Sequence, residues 1–503
     1  MASRFLVDEY KKSRRFQHFR YSRHGSEHDH SCEATSLPGR VQRRCNNLQH
    51  WDEATAVSGI KITNAFGLLQ AIARDPWISW HIQSLDLKGP DEHSGPLTPD
   101  IHTGSLQRLY QTAWPSASEM DDVEFGLWVL QMTPFLADVF VLNLVPNVLE
   151  VALSKSWGKA DIVDTANLDL LDAMVSRAND PNIRDAPLAR LAVVKPYVGH
   201  GWNAHASLTP LASFLAINSV REFYMGGVQA FSDDDTDIPF NPRHTVYGTS
   251  LRKIEFNGSA VGPRALSALL SRTPHLECLH LGLESKPDHF GGRYNVGHLL
   301  AIIAAHVGGS LKELAIYTNP LNTDTYTLTN MHGFTQLEVL ELDANSISGP
   351  EFSSLELLPS GRFDEYFPEF TMDARSALPR LVDLLPPSLE SLKLDFRSIM
   401  YRSPRTIHHS DHTEFVFFQL PDLLAGLRDE RSSKLPRLRD IVFNPPYDLE
   451  SYVEKNRDPE RTNSIRSILR EAETCGVRWE RGVFSCFRTF NERFDVKDAG
   501  EES

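Results

Sequence analysis

Between Leu311 and Ile347 the apolar positions of this chain fall twice into one pattern. Leu311-Lys-Glu-Leu-Ala-Ile-Tyr-Thr-Asn-Pro-Leu321 and Leu337-Glu-Val-Leu-Glu-Leu-Asp-Ala-Asn-Ser-Ile347 both read L-x-x-L-x-Φ-x-x-N-x-Φ, where Φ is apolar. The alternating part, Leu340 and Leu342 in the second copy, predicts a short strand with one buried face. Leu337 and Ile347 turn inward on either side of it. Asn345 is expected to hydrogen-bond backbone groups of the neighbouring turn, which have no sheet partner there.

The shorter core of the pattern, Φ-x-x-Φ-x-Φ, predicts ten strands. They start at Ile82, Val148, Leu188, Val220, Leu251, Leu276, Leu311, Leu337, Leu389 and Leu438. Pro146, Pro187, Pro274, Pro387 and Pro436 fall one or two residues before a start, where a proline ends a helix and favours extended geometry. Helical spacing lies between the strands: Leu68–Ile72, Phe125–Leu136, Leu168–Val175, Leu208–Leu215, the Leu266/Leu269/Leu270 stripe, His298–Val307, Leu420–Leu427 and Ile465–Ala472. Four polar, turn-rich insertions interrupt the series at about 89–121, 230–247, 348–375 and 399–414.

A unit of strand then helix, recurring at 25–35 residues through the middle of the chain, is a leucine-rich-repeat signature. The fold expected is α/β, an irregular leucine-rich-repeat solenoid or horseshoe with a parallel sheet on its concave face and helices outside. The expected organisation is a basic, His-rich, disordered segment over 1–55, the solenoid with its loop insertions over 56–490, and an acidic tail over 491–503.

Leu68-Leu-Gln-Ala-Ile-Ala-Arg-Asp-Pro-Trp77 followed by His81-Ile-Gln-Ser-Leu-Asp-Leu87 resembles the entry repeat of fungal F-box-like leucine-rich-repeat proteins. Phe140–Leu153, with Pro146-Asn147, is similar to the next helix-to-strand passage. The resemblance covers about 62–480 and implies intracellular protein recognition, with substrate selection for a ubiquitin ligase as the family role. Only the repeat portion is covered. Leu37-Pro38 is followed by Gly39-Arg-Val-Gln-Arg-Arg-Cys45, which lacks the apolar stripe of an F-box. No direct binding of a Skp1-type adaptor through 1–55 is therefore expected. A scaffold or regulator unconnected with ubiquitin is the alternative, and an enzyme with its site in the insertions is a third reading.

Charge bears on the partner. The formal net charge is −15, although residues 1–50 carry ten Lys/Arg against five Asp/Glu. The acidic body disfavours nucleic acid and favours a protein partner with a basic surface. Five scattered cysteines without disulfide spacing point to a reducing compartment, hence cytoplasm or nucleus. Polar residues interrupt the apolar stretch at 135–153, so no membrane association is expected.

No catalytic residue, cofactor site or metal site is predicted. P-loop, dinucleotide-binding and nucleophile-elbow motifs are missing. The clusters His24/His28/His30/Cys32 and His408/His409/His412 lack a second half at zinc-site spacing. The candidate surface is the strand face opposite the core. Glu255, Glu313, Tyr317, Glu341 and Asp343 are expected there as one exposed, acidic, partly aromatic partner-binding patch.

Overall fold

The computed structural model describes residues 50–51, 56–57, 60–61, 65–87, 103–114, 125, 132–158, 165–195, 206–230, 240, 242–245, 247–283, 295–318, 330–343, 379–395, 420–444, 459–480, 490 and 493–494. The chain forms two compact units, Met1–Val194 with Ile217–Val220, and Lys195–Ala216 with Arg221–Ser503. The sequence predicts one continuous solenoid over 56–490.

In the first unit order begins earlier than predicted. β1 (His50–Trp51) precedes a short antiparallel pair, β2 (Ala56–Val57) and β3 (Ile60–Lys61). Helix α1 (Ala65–Arg74) buries Phe66, Leu68, Leu69 and Ile72 along one stripe and stops before Pro76. After α2 (Ile78–His81) comes β4 (Ser84–Asp86), which pairs in parallel with β1 on one side. Its other neighbour is β5 (Glu150–Ala152), also parallel. The helices α3 (Thr103–Ala113) and α4 (Pro134–Leu142) lie between β4 and β5. α3 lies inside a span expected to be an insertion. α4 starts where Phe125–Leu136 was expected to finish, because Thr133 accepts the Leu136 N–H at 3.3 Å and Pro134 follows it. α5 (Thr165–Ala178) and β6 (Val193–Lys195) follow.

Asp138 stands in the middle of α4 and is buried. Its Oδ2 accepts from Ser154 Oγ at 2.5 Å, Ser156 Oγ at 3.0 Å and Trp157 Nε1 at 3.1 Å. Those donors arrive from a 3-10 turn at Lys155–Gly158 and the residue before it. The carboxylate is thereby satisfied inside an apolar helix.

The second unit carries the regular part of the repeat. β7 (Ala206–Ser207), α6 (Leu208–Leu211) and a 3-10 turn lead to β8 (Glu222–Gly226), β9 (Val228–Ala230) and the long β10 (Lys253–Val261). Then follow α7 (Pro263–Leu270), β11 (Cys278–Leu283), α8 (Val296–Val307), β12 (Glu313–Thr318) and β13 (Val339–Asp343). The series ends with α9 (Leu381–Leu384), β14 (Ser391–Asp395), α10 (Leu427–Lys434), β15 (Asp440–Asn444), α11 (Pro459–Thr474) and β16 (Val477–Trp479).

β8, β10, β11, β12, β13, β14, β15 and β16 pair in parallel in that order. The unit is thus α/β with an open parallel sheet that grows by one strand per repeat. Crossovers between parallel neighbours follow, as a rule, one hand, which puts the helices on one face. Ile254, Leu279, Leu314, Leu340, Leu392 and Ile441 align across six strands on that face, and none is exposed.

Nine of the ten predicted starts lie two residues before the observed strand. The exception is Leu188, which has φ of 62° and sits in a turn, so β6 begins five residues later and Leu191 fills the buried pre-strand position. The helix expected over 420–427 is broken by Gly426, whose φ of 76° opens α10 instead. Asn319 and Asn345 lie outside the described residues.

Candidate functional site

The face of the sheet opposite the apolar side chains is polar, and its register is continuous. One row runs Glu222, Lys253, Cys278, Glu313, Val339, Ser391, Asp440 across seven strands. Every member of that row is half-buried. The row two residues further along runs Tyr224, Glu255, His280, Ala315, Glu341, Lys393, Val442, Arg478. Its first five members are buried. Accessible chemistry therefore lies along the first row, and the second row underlies it.

The five predicted residues all sit on this face, at two depths. Glu313 and Tyr317 are half-buried, while Glu255, Glu341 and Asp343 are buried at 3%, 4% and 0% exposure. The expected exposed patch is thus divided. Ion pairing accompanies the depth: Lys253, two residues away on the same strand, has Nζ 3.2 Å from Glu255 Oε2, and Lys393 on the neighbouring strand has Nζ 3.5 Å from Glu341 Oε2. Asp343 has another task. Its Oδ2 accepts from the Thr318 backbone N–H at 3.0 Å and from Thr318 Oγ1 at 2.8 Å, at the last residue of β12. It ties two strand ends together, as Asn444 Nδ2 does by donating to Asp395 Oδ1 at 3.2 Å.

His280 is the centre of the buried row. Its Nε2 is 2.8 Å from Glu313 Oε1 and 3.3 Å from Cys278 Sγ, while Nδ1 is 3.4 Å from Glu255 Oε2. Burial alone would lower the imidazole pKa. Hydrogen bonds to Cys278, Glu255 and Glu313 outweigh it and raise the pKa well above 6.5. The hydrogen bond from His280 correspondingly lowers that of Glu313, against desolvation and with help from Lys253 and Lys393. His280 is absent from the partner-binding residues predicted for this face. The signal was Cys278-x-His280 at strand spacing beside the in-register Glu313.

The other end of the face holds an arginine from the C-terminal segment. Arg493 Nη1 donates to Tyr224 Oη at 2.7 Å, and Nη2 is 3.5 Å from Glu222 Oε2. The guanidinium carbon stands 4.6 Å from the centre of the Tyr224 ring. Phe494 packs beside it, 5.0 Å from the same ring, and Phe490 packs on Phe494 at 4.9 Å. Phe490 and Phe494 are both buried.

In the first unit a cleft of about 800 Å³ is lined by Arg74, Trp80, Arg108, Asn143 and Arg177 among others. The histidine clusters at 24–32 and 408–412 lie outside the described residues. Among the described residues no helix is long and apolar enough to cross a membrane. Comparison with known proteins finds no family model that matches the chain and no curated protein that matches it.

Proposed function

We propose that the chain is a protein-recognition module of leucine-rich-repeat type, and that the half-buried row from Glu222 to Asp440 receives a partner segment carrying arginine and aromatic side chains. One observation carries this reading: the face already holds such a pair from its own chain, Arg493 and Phe494 on Glu222 and Tyr224. Arginine stacked on an aromatic ring and hydrogen-bonded beside a carboxylate is an anchor chemistry common at protein interfaces. The rest of the row offers Glu313, whose side chain is 44% exposed, and Asp440, which is 36% exposed and accepts from Arg478 Nη2 at 2.5 Å. Both can steer a cation at little cost in stability.

The reading is tested by selecting displayed peptides on the folded full-length chain. Sequences with arginine next to an aromatic residue should be enriched, and their binding should weaken as salt rises. Glu313→Lys with Asp440→Lys should reduce that binding while the circular-dichroism melt stays cooperative. Arg493→Ala should strengthen it, since the chain's own arginine then leaves the Tyr224 end free. Selected peptides without cations, or binding indifferent to the double variant, would overturn the proposal.

A further inference from the structure

Three side chains on two neighbouring strands converge at the middle of the polar face. Cys278 and His280 alternate on β11 and so point the same way, and Glu313 on β12 stands in register with Cys278. One ligand atom from each of the three lies within 4.8 Å of the other two. Nε2 is the shared neighbour, 3.3 Å from Sγ and 2.8 Å from Oε1.

Hydrogen bonding alone serves this trio poorly. A single Nε2–H cannot be donated fully towards both a sulfur and a carboxylate oxygen. One cation can satisfy all three atoms at once. With Zn–S near 2.3 Å and Zn–N and Zn–O near 2.0–2.2 Å, tetrahedral ligand atoms stand about 3.3–3.6 Å apart. The Sγ to Nε2 separation already meets that range. The Nε2 to Oε1 contact must open by about half an ångström to admit the ion. Glu313 is the member able to move, since its side chain is 44% exposed, whereas that of His280 is 3% exposed.

The surroundings suit a metal as well as the trio does. Glu255, in register with His280 on β10, places Oε2 3.4 Å from Nδ1. Drawn in to hydrogen-bonding distance when a metal binds, that carboxylate would keep the proton on Nδ1 and turn the Nε2 lone pair towards the ion, the usual arrangement behind a ligating histidine. Lys253 Nζ sits 3.2 Å from that carboxylate. A thiolate, two carboxylates, one ammonium and a divalent cation together carry no net charge, which moderates the cost of partial burial. Thiolate, imidazole and carboxylate are together a zinc ligand set.

The same cysteine and histidine also stand near enough for a nucleophilic pair, but the backbone argues against acyl transfer. An oxyanion needs unused N–H donors, and the Cys278 N–H is given to the Arg252 carbonyl. Glu313 Oε1, moreover, stands against the nitrogen that would act as base.

We propose that Cys278, His280 and Glu313 bind a Zn²⁺ ion, with Glu255 orienting His280 and a water on the Glu313 side completing the tetrahedron. The site shares Glu313 with the recognition surface proposed above, but metal binding is measured without any partner.

The test uses the full chain, stripped with a chelator under reducing conditions and titrated with Co²⁺ and then Zn²⁺. One Co²⁺ per chain should give tetrahedral ligand-field bands and a thiolate-to-cobalt charge-transfer band, both removed by one equivalent of Zn²⁺. Cys278→Ser should abolish the charge-transfer band, with an unchanged circular-dichroism spectrum in chelator. Glu255→Gln should keep the band and weaken Zn²⁺ about 10–100-fold, the cost of losing a carboxylate behind a ligating histidine. Should Cys278→Ser fail to fold, Glu313→Gln decides, because its accessible side chain can change without disturbing the sheet. It should weaken Zn²⁺ about tenfold or more. No charge-transfer band in the folded wild type, or Zn²⁺ affinity unchanged in Glu313→Gln, would overturn the proposal.

Discussion

Replacing Asp343 by alanine should damage the fold, although the residue lies on the face expected to bind a partner. Its carboxylate is fully buried and accepts two hydrogen bonds from Thr318, one from the backbone N–H and one from the hydroxyl. Thr318 is itself fully buried and ends β12, so its N–H has no water to turn to once the carboxylate is gone. An orphaned buried N–H costs about 1–3 kcal/mol, and losing the hydroxyl's bond to a charged acceptor adds about 1 kcal/mol where that hydroxyl finds a new acceptor. The expected loss for Asp343→Ala is therefore about 2–4 kcal/mol. Asp343→Asn keeps an acceptor oxygen in place and should lose about half as much or less. Urea unfolding followed by tryptophan fluorescence measures the difference in midpoint. Native-state hydrogen exchange at the Thr318 amide measures the local effect, which should be a marked rise in exchange rate for the alanine variant. If both the midpoint and the Thr318 exchange rate match wild type, Asp343 is not holding the strand ends and the account of this face is wrong.

Other positions give sharper or simpler readings. Leu340→Ala, at a fully buried position of the β13 core row, should cost about 2–5 kcal/mol in the same urea assay, and a wild-type midpoint would refute the strand orientation. Asp138→Ala should leave Ser154, Ser156 and Trp157 without their common acceptor and lower stability by about 1–3 kcal/mol, read from the melt of the first unit. Hydrogen bonds from Arg380 and Lys434 hold the Asp383 carboxyl at about 2 instead of 3.8. Because that pKa is depressed on folding, its contribution is complete above pH 3.8 and disappears as pH falls through about 2. An NMR carboxyl titration with its midpoint at 3.8 would show that the link between α9 and α10 does not form.

The parts of the fold that were legible in the sequence are those set by local alternation. Leu311, Leu314 and Ile316 define a buried series whatever the neighbouring strands contain, and the observed strand starts two residues after the first of them because that residue closes the preceding turn. Leu188 satisfies the same pattern and fails, since a left-handed backbone after Pro187 holds it in a turn, and side-chain spacing carries no information about φ. Helix α3 was overlooked although Leu106, Leu109 and Tyr110 stand at helical spacing, because the stretch around it is polar enough to look like loop.

The candidate site was legible in direction and illegible in depth, and the difference is physical. Alternation fixes which way a strand residue points, so Glu255, Glu313 and Glu341 were placed on the correct face. How deep each lies depends on what stands across the ladder and on top of it. Lys253 is two residues from Glu255 in sequence, but Lys393 meets Glu341 from the next strand, 52 residues later. Arg493 meets Tyr224 from 269 residues away. No window of sequence contains both members of such pairs. An acidic residue on this sheet can be a steering charge at Glu313, half of a buried ion pair at Glu341 or a strand tie at Asp343, although all three sit on one face with the same parity. Only the first of these leaves a carboxylate for another molecule to reach, so partner and metal would both meet Glu313, while buried Glu255 acts on the metal only through His280.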